Sequence, residues 1–397
     1  MPRRQNDTTA ADPPLVPFWH DPAKRGMLLQ IVVLLLALGV GYVLVANTQA
    51  NLQRQSIATG FGFIQHEAGF EIGEPAIPYS AADSYGRALL VGALNTLRVS
   101  FTGIIFTLIF GSVVGVARLS RNWLISHLAK VFIEVMQNIP LLLQLFFWYA
   151  LFYEAFPSPR EALNPLRGVF VSNRGLIFGV PIEHPAHGWM LIALLAGIVL
   201  WRLLVWWGRG LQERTGTIVP VHRLGIALCL LLSLLVWLAA GAPTAMNMPV
   251  FKGFNFQGGM SVSPEFSALL IGLVLYTSAF VAEIVRAGIQ SVAHGQVEAA
   301  MAIGLRPGQV LHLVIFPQAT RVIVPPLTSQ MLNLTKNSSL AIAIGYSDFV
   351  SVANTTINQT GQAIEGVALI MVVYLFFSLS TSAFMNWYNK KTALVER

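Results

Sequence analysis

Charge is scarce in this sequence. Asp, Glu, Lys and Arg together make up 11% of the 397 residues, against about 25% in a typical soluble domain. That shortage excludes an ordinary soluble globular protein. Cysteine is scarcer still. Cys229 stands alone, so an intrachain disulfide or a cysteine-based metal site is excluded, and the residue reads as a small apolar side chain in a spanning helix. The run Gly-x-x-x-x-Gly-Lys-Ser/Thr is missing, which excludes ATP binding through a P-loop in this chain. His66-Glu67 lacks the second histidine of a helical zinc motif. A Gly-x-Ser-x-Gly elbow is missing too. These gaps predict a chain with no catalytic residues, no metal ligands and no cofactor of its own.

What is abundant is apolar surface, at 55% of the residues. It is gathered into long runs, as in one bundle of membrane-spanning helices. The net charge of +7 has two readings, nucleic acid or membrane. Arg and Lys sit at the ends of apolar runs, as flanks of spans do, and no basic stripe interleaves with aromatics, so nucleic acid is set aside.

The expected fold is all-α, with about eight spans near residues 27–46, 90–117, 132–153, 189–207, 223–241, 266–286, 322–345 and 364–386. The first follows Arg3, Arg4, Lys24 and Arg25. It is long enough to cross a bilayer and is followed by Asn47-Thr48-Gln49 rather than a small-residue cleavage site, so it reads as a retained signal anchor. Lys and Arg on alternate sides of the spans number 17 and five. The richer side holds both ends of the chain, which predicts cytoplasmic termini, and an even number of spans agrees.

The segment from about 154 to 265 is irregular. A stretch with Pro157, Pro159, Pro165, Gly168, Gly175, Gly179 and Pro181 leads into the fourth and fifth spans, which read as a helical hairpin inserted into a larger bundle. The second span carries Gly103, Thr107, Gly111 and Gly115 at four-residue intervals on one helix face, a device that lets another backbone approach where lipid removes the hydrophobic drive for helix association.

The most informative stretch lies between the sixth and seventh spans, residues 296–319. Residues 296–303 favour a helix, with Glu298 near its N-terminus, where the helix dipole stabilises an acid. Gly304 suits a C-terminal cap. Pro307 suits the first turn of a second helix and Pro317 its end. The expectation is a helix-turn-helix outside the bilayer whose slim surface of Ala299, Ala300 and Ala302 enters a partner's groove.

This segment resembles the Glu-Ala-Ala (EAA) loop of the permeases of bacterial ATP-binding-cassette (ABC) importers: Glu-Ala-Ala, three residues, Gly, nine residues, an aliphatic residue, one more, then an aliphatic-Pro pair. Glu298, Ala299, Ala300, Gly304, Val314 and Pro317 match it, and Phe316 stands where Leu is commonest. Residues 85–100, Glu134–Phe147, Thr277–Ile289 and Pro317–Leu340 resemble the polar amino-acid permeases of that family. With its extra first span and inserted hairpin, the chain resembles the long form found in general L-amino acid transport systems.

The resemblance implies a type I importer core of five helices over residues 87–390, with an insertion at about 154–265. It leaves residues 1–26 as a cytoplasmic tail, 27–86 as an extra first span with a periplasmic loop, and 391–397 as a second cytoplasmic tail. It further implies an inner-membrane subunit that moves amino acids by alternating access. Its expected partners are a second homologous permease, a P-loop ATPase that carries the ATP, a periplasmic amino-acid-binding protein, the amino-acid substrate and the lipid bilayer. The EAA loop would be the coupling helix that docks on the ATPase. An ion-coupled secondary transporter is the competing reading, and it would need paired symmetric halves with interrupted helices.

Polar residues inside spans are costly and face bundle interiors or water. Asn333, Lys336, Asn337, Ser338 and Ser339 in the seventh span either line a translocation path or form a polar turn at its outer end. Glu134, Gln137 and Asn138 at the start of the third span are candidates for an inner gate or for an interfacial helix end. Glu283 and Arg286 read as a structural ion pair, Arg98 as an interface or snorkelling residue, and Trp201, Trp206, Trp207 and Trp387 as interfacial anchors.

Overall fold

The computed structural model describes residues 22–54, 59–217 and 219–392. The tails expected at 1–26 and 391–397 lie almost wholly outside the described residues. Among those described, seven helices are long and apolar enough to cross a membrane, or eight if one sharply bent pair counts as a span.

Helix α1 (Pro22–Arg54) is apolar all round, and none of its spanning window is buried, the pattern of a helix solvated by lipid. The core is built on α2 (Tyr85–Arg118) and α7 (Pro264–Gln290). The small-residue face of α2 meets α7 as its spacing predicts. A Cβ on Gly111 would lie 2.6 Å from Val281 Cγ1 and one on Gly115 2.6 Å from the Ala282 carbonyl, while one on Gly103 would lie 3.3 Å from Leu334 in the helix that spans Phe316–Asn337. Thr107 is fully buried in the same stripe, and its carbonyl accepts from Ser278 Oγ at 3.4 Å. The stripe extends toward the N-terminus, where Gly92 touches Phe349 Cα.

The third span is not one helix, contrary to the expectation over 132–153. Helix α3 (Trp123–Asn138) stops at Ile139-Pro140, and the chain turns by 104° into α4 (Leu141–Ala150) and the π-helical turn Leu151–Ala155. Pro140 supplies no N–H and disfavours helical geometry in the residue before it. The carbonyls freed at the break are recovered by buried Gln144, whose Nε2 donates to Met136 O and Ile139 O at 2.9 Å each.

Helices α5 (Pro185–Thr215) and α6 (Val221–Ala239) form a hairpin packed on itself. Gly197 sits against the Cys229 backbone and Gly225 against the Trp201 ring, so Trp201 packs in the hairpin seam. Around the hairpin's base, the irregular segments form short strands. Strands β1 (Leu163–Leu166), β2 (Val169–Ser172), β3 (Gly175–Phe178) and β8 (Met260–Val262) make one antiparallel sheet in that order. Strands β4 (Val180–Pro181) and β5 (Met246–Asn247) pair, as do β6 (Val250–Lys252) and β7 (Asn255–Gln257). This β cap adjoins the N-terminal end of α7.

The remaining helices are α8 (His294–Ala302), α9 (Pro307–Val310), α10 (Phe316–Asn337), α11 (Phe349–Thr360) and α12 (Ala363–Thr392). Helix α11 is capped by buried Asp348, whose Oδ1 accepts from Ser351 N at 2.9 Å and whose Oδ2 accepts from Tyr374 Oη at 3.1 Å. It lies at the same end of the bundle as the β cap. Helices α8 and α9 lie at the opposite end, beyond the C-terminus of α7.

Candidate functional site: the α8–α9 elbow

The elbow is a helix, a tight reversal and a second helix. It begins earlier than its sequence suggests, at His294, so Glu298 sits in the second turn, and His294 Nδ1 lies 3.2 Å from Glu298 Oε1. Both side chains are open to solvent. Helix α8 ends in a glycine-based cap: Leu305 N donates to Ala300 O at 3.2 Å and Gly304 N to Met301 O at 2.9 Å, which satisfies carbonyls that the helix end would leave orphaned. Gly304 holds φ +85°, and a Cβ there would touch nothing within 4 Å. Its glycine is required by backbone conformation, not by space. Arg306 N then donates to Gln309 Oε1 at 2.9 Å, and Pro307 opens α9.

Pro317 does not end the second helix. The chain runs from α9 through a π-helical turn, Leu311–Ile315, into α10, where Pro317 falls at the first turn. The π-helical turn immediately before it is the kind of local widening that accommodates a proline within a continuing helix. The elbow is therefore joined to α10, and through it to the core, by unbroken helical backbone. A displacement of α8 has a stiff path into the bundle.

The surface divides by role. Ala300 and Val310 are buried and close the elbow's interior. Glu298, Ala299, Met301, Ile303 and Gly304 are exposed, Ile303 to 79%. This exposed apolar tip is flanked by an acid and a histidine. Met301 and Ile303 escaped the sequence reading, which weighed only the alanines. The Glu-Ala-Ala spacing locates the helix but not which of its faces is open. Val314 lies half-buried in the π-helical turn, and exposed Phe316 follows it.

The other candidates divide. Glu134 and Gln137, three apart on α3, have different partners. Glu134 pairs with Lys130 at 3.5 Å on the outside, and Gln137 Nε2 donates to Ala279 O on α7 at 3.2 Å. Asn138 Nδ2 donates back to Glu134 O at 2.6 Å. All three lie at the last turn of α3, at the break.

At the end of α10, Ser338 is buried and its hydroxyl donates to Thr335 O at 2.7 Å, while Ser339 Oγ donates to Lys336 O at 2.7 Å. These serines close the helix as it tightens into the 3₁₀ turn Ser338–Ile344. Lys336 and Asn333 point to the open face that also carries Pro326 and Ser329, and Asn337 is half-buried. Glu283 and Arg286 form a hydrogen-bonded ion pair. Arg98 bonds Glu74 of the loop before α2 at 2.8 Å and lies 4.6 Å over the Phe266 ring, so it ties that loop to the bundle instead of reaching an interface.

Residues 103–394 match the family described as "Binding-protein-dependent transport system inner membrane component". The chain is 48% identical over 380 residues to the general L-amino acid transport system permease protein AapQ of Rhizobium johnstonii, covering 95% of this chain and 94% of that protein. It is 40% identical over 425 residues to the glutamate/glutamine/aspartate/asparagine transport system permease protein BztB of Rhodobacter capsulatus, covering 98% of this chain and 99% of that protein. It is also 37% identical over 150 residues to the glutamate/aspartate import permease protein GltJ of Escherichia coli, covering 37% of this chain and 60% of that one. The chain belongs to the family of inner-membrane components of binding-protein-dependent transport systems, and is a multi-pass transport component rather than an enzyme.

Proposed function

We propose that this chain is the permease subunit of an ATP-driven importer for polar and general L-amino acids, and that the α8–α9 elbow is where a separate P-loop ATPase grips it. The observation that carries the reading is the elbow itself. It is an exposed helix tip with Met301, Ile303 and Glu298 outward, braced by the Gly304 cap and continuous with α10. The full-length similarity to permeases named for general L-amino acid and for glutamate, glutamine, aspartate and asparagine transport supports the substrate class.

In this reading both termini and the elbow are cytoplasmic, in keeping with the distribution of Lys and Arg. The β cap faces the periplasm, where an amino-acid-binding protein delivers substrate. A second, related permease covers the open face of α10. Asn333 and Lys336 on that face are then candidates for the translocation path, with Asn337, Ser338 and Ser339 shaping its end. The break at Glu134, Gln137 and Asn138 is a candidate inner gate. ATP binding between two ATPase subunits moves the elbows together, and the bundle switches from inward-facing to outward-facing.

Glu298→Lys reverses the charge at the tip, and Gly304→Asp strains its cap by about 1 kcal/mol or more. Both variants are expected to lower amino-acid uptake at least tenfold, with the protein still in the membrane and co-purification of the ATPase weakened. Unchanged uptake by both would remove the coupling role. ATP depletion with the proton gradient maintained is expected to stop uptake, and uptake that persists would point to ion coupling.

A further inference from the structure

The elbow and α10 leave unexplained a polar cavity at the opposite end of the molecule. It has a volume of about 420 Å³ and lies where the β cap meets the loop that precedes α2, within the size range of about 300–1,000 Å³ common to small-molecule sites. Glu74 lines it, its Oε1 2.8 Å from Arg98 Nη1 and its Oε2 accepting from Ser263 N at 3.1 Å. Arg174 lines it too, presented by the tight turn between β2 and β3.

That turn is built to hold the arginine in place. Ser172 pairs directly with Gly175, leaving Asn173 and Arg174 as the two turn residues. Gly175 sits at φ +106°, so close to β8 that a Cβ would lie 2.0 Å from Val262 O. The guanidinium of Arg174 donates to Phe254 O at 3.4 Å and, among the described residues, to nothing else. Most of its donors are therefore free to meet a ligand. Ser261 and Asn255 add a hydroxyl and a side-chain amide to the wall, and Phe256 an aromatic face.

We infer that this cavity is a receiving site for one small amino acid, with Arg174 taking its carboxylate, Glu74 facing its ammonium, and Ser261 and Asn255 completing the polar contacts. A guanidinium and a carboxylate lining one cavity complement a zwitterion, and charge-assisted hydrogen bonds of this kind are about twice as strong as neutral ones. The choice of an amino acid over another carboxylate rests on the proposed transport function, whereas the pocket's complementarity does not. The site stands outside the bundle, so it would act before translocation, by holding substrate at the mouth.

The full chain in lipid nanodiscs, titrated with L-glutamate by calorimetry without any binding protein, tests the inference. Wild type is expected to bind in the millimolar range. Arg174→Gln, at an exposed turn, is expected to weaken binding about tenfold or more, and Ser261→Phe, which fills the cavity, to abolish it. Arg121→Gln, exposed in the loop between α2 and α3 at the far end of the molecule, should leave it unchanged. Succinate should compete weakly and putrescine not at all. Wild-type affinity in both Arg174→Gln and Ser261→Phe would overturn the site, as would a wild type that fails to bind. Inorganic phosphate competing better than glutamate would overturn the amino-acid assignment. None of these outcomes depends on whether Glu298→Lys blocks uptake, so the pocket and the coupling role fail separately.

Discussion

Two helix pairs in this molecule use the same device and differ in what lies behind it. In α2–α7 and in α5–α6, glycines let backbones or rings approach to distances that a side chain would forbid: 2.6 Å between a Cβ on Gly115 and Ala282 O, 2.9 Å between one on Gly197 and Cys229 Cα. The share of buried residues separates the pairs. In α7, 61% of the spanning window is buried, against 6% in α5 and 11% in α6. Helix α7 touches α2, α3, α4 and α10, so a displacement at one seam is felt at the others. The α5–α6 hairpin meets little beyond itself and the strands at its base, so a displacement there has nowhere to go. Equal local packing need not mean equal consequence.

The largest expected effect comes from overfilling the core seam. Gly115→Leu would drive a side chain into Ala282 O and Val285 on α7, at a cost of about 3 kcal/mol or more because the obstacle is backbone. We expect loss of monodisperse protein after detergent extraction. Gly225→Leu in the hairpin has a similarly short contact, but against the Trp201 ring, and is expected to leave monodisperse protein. Equal losses in the two variants would mean the hairpin is structurally integral, and the comparison would fail.

A smaller effect is expected at the bend between α3 and α4. Gln144→Leu leaves Met136 O and Ile139 O without their donor in a buried site, a loss of about 1–3 kcal/mol for unsatisfied groups. Because α3 and α4 both pack on α7, the expected result is a lower melting temperature and slower uptake at normal expression. A variant as stable as wild type would show that water replaces the amide.

How much of this was legible in the sequence depends on the range of the forces involved. The small-residue stripe of α2 and the Gly304 cap follow from local spacing and backbone conformation, and both stand where the residues place them. The bend at Pro140 did not announce itself, because one proline within a span-length stretch does not say whether the helix resumes in line, and the deciding amide, Gln144, acts across the break. Pro317 misled for the opposite reason. A proline that ends one helix and one that starts the next differ only in what precedes it, here a π-helical turn. The hairpin Val169–Phe178 had a local signal, two apolar runs around Asn173-Arg174 before Gly175, hidden within a segment too rich in Pro and Gly to suggest a sheet. The Arg98–Glu74 pair joins a loop to a span, and no periodicity records such a contact.

The sharpest form of the comparison removes the hairpin outright, and here the smallest effect is expected. The β cap brings its two roots together: Pro181 pairs with Met246, and Ile182 N donates to Ala245 O at 3.0 Å. Deleting residues 184–243 and joining Glu183 to Thr244 through two glycines leaves a four-residue loop, a length that antiparallel strands accept. Two spans are lost together, so every later span keeps its direction across the bilayer, and no helix of the α2–α7 core loses a main partner. Membrane level and uptake within about twofold of wild type are the expected outcome, because lost packing in one autonomous pair is not felt by another. If uptake vanishes while the core stays folded, the hairpin is serving a partner subunit or a lipid contact, and its isolation within this chain would mark a binding surface rather than an accessory.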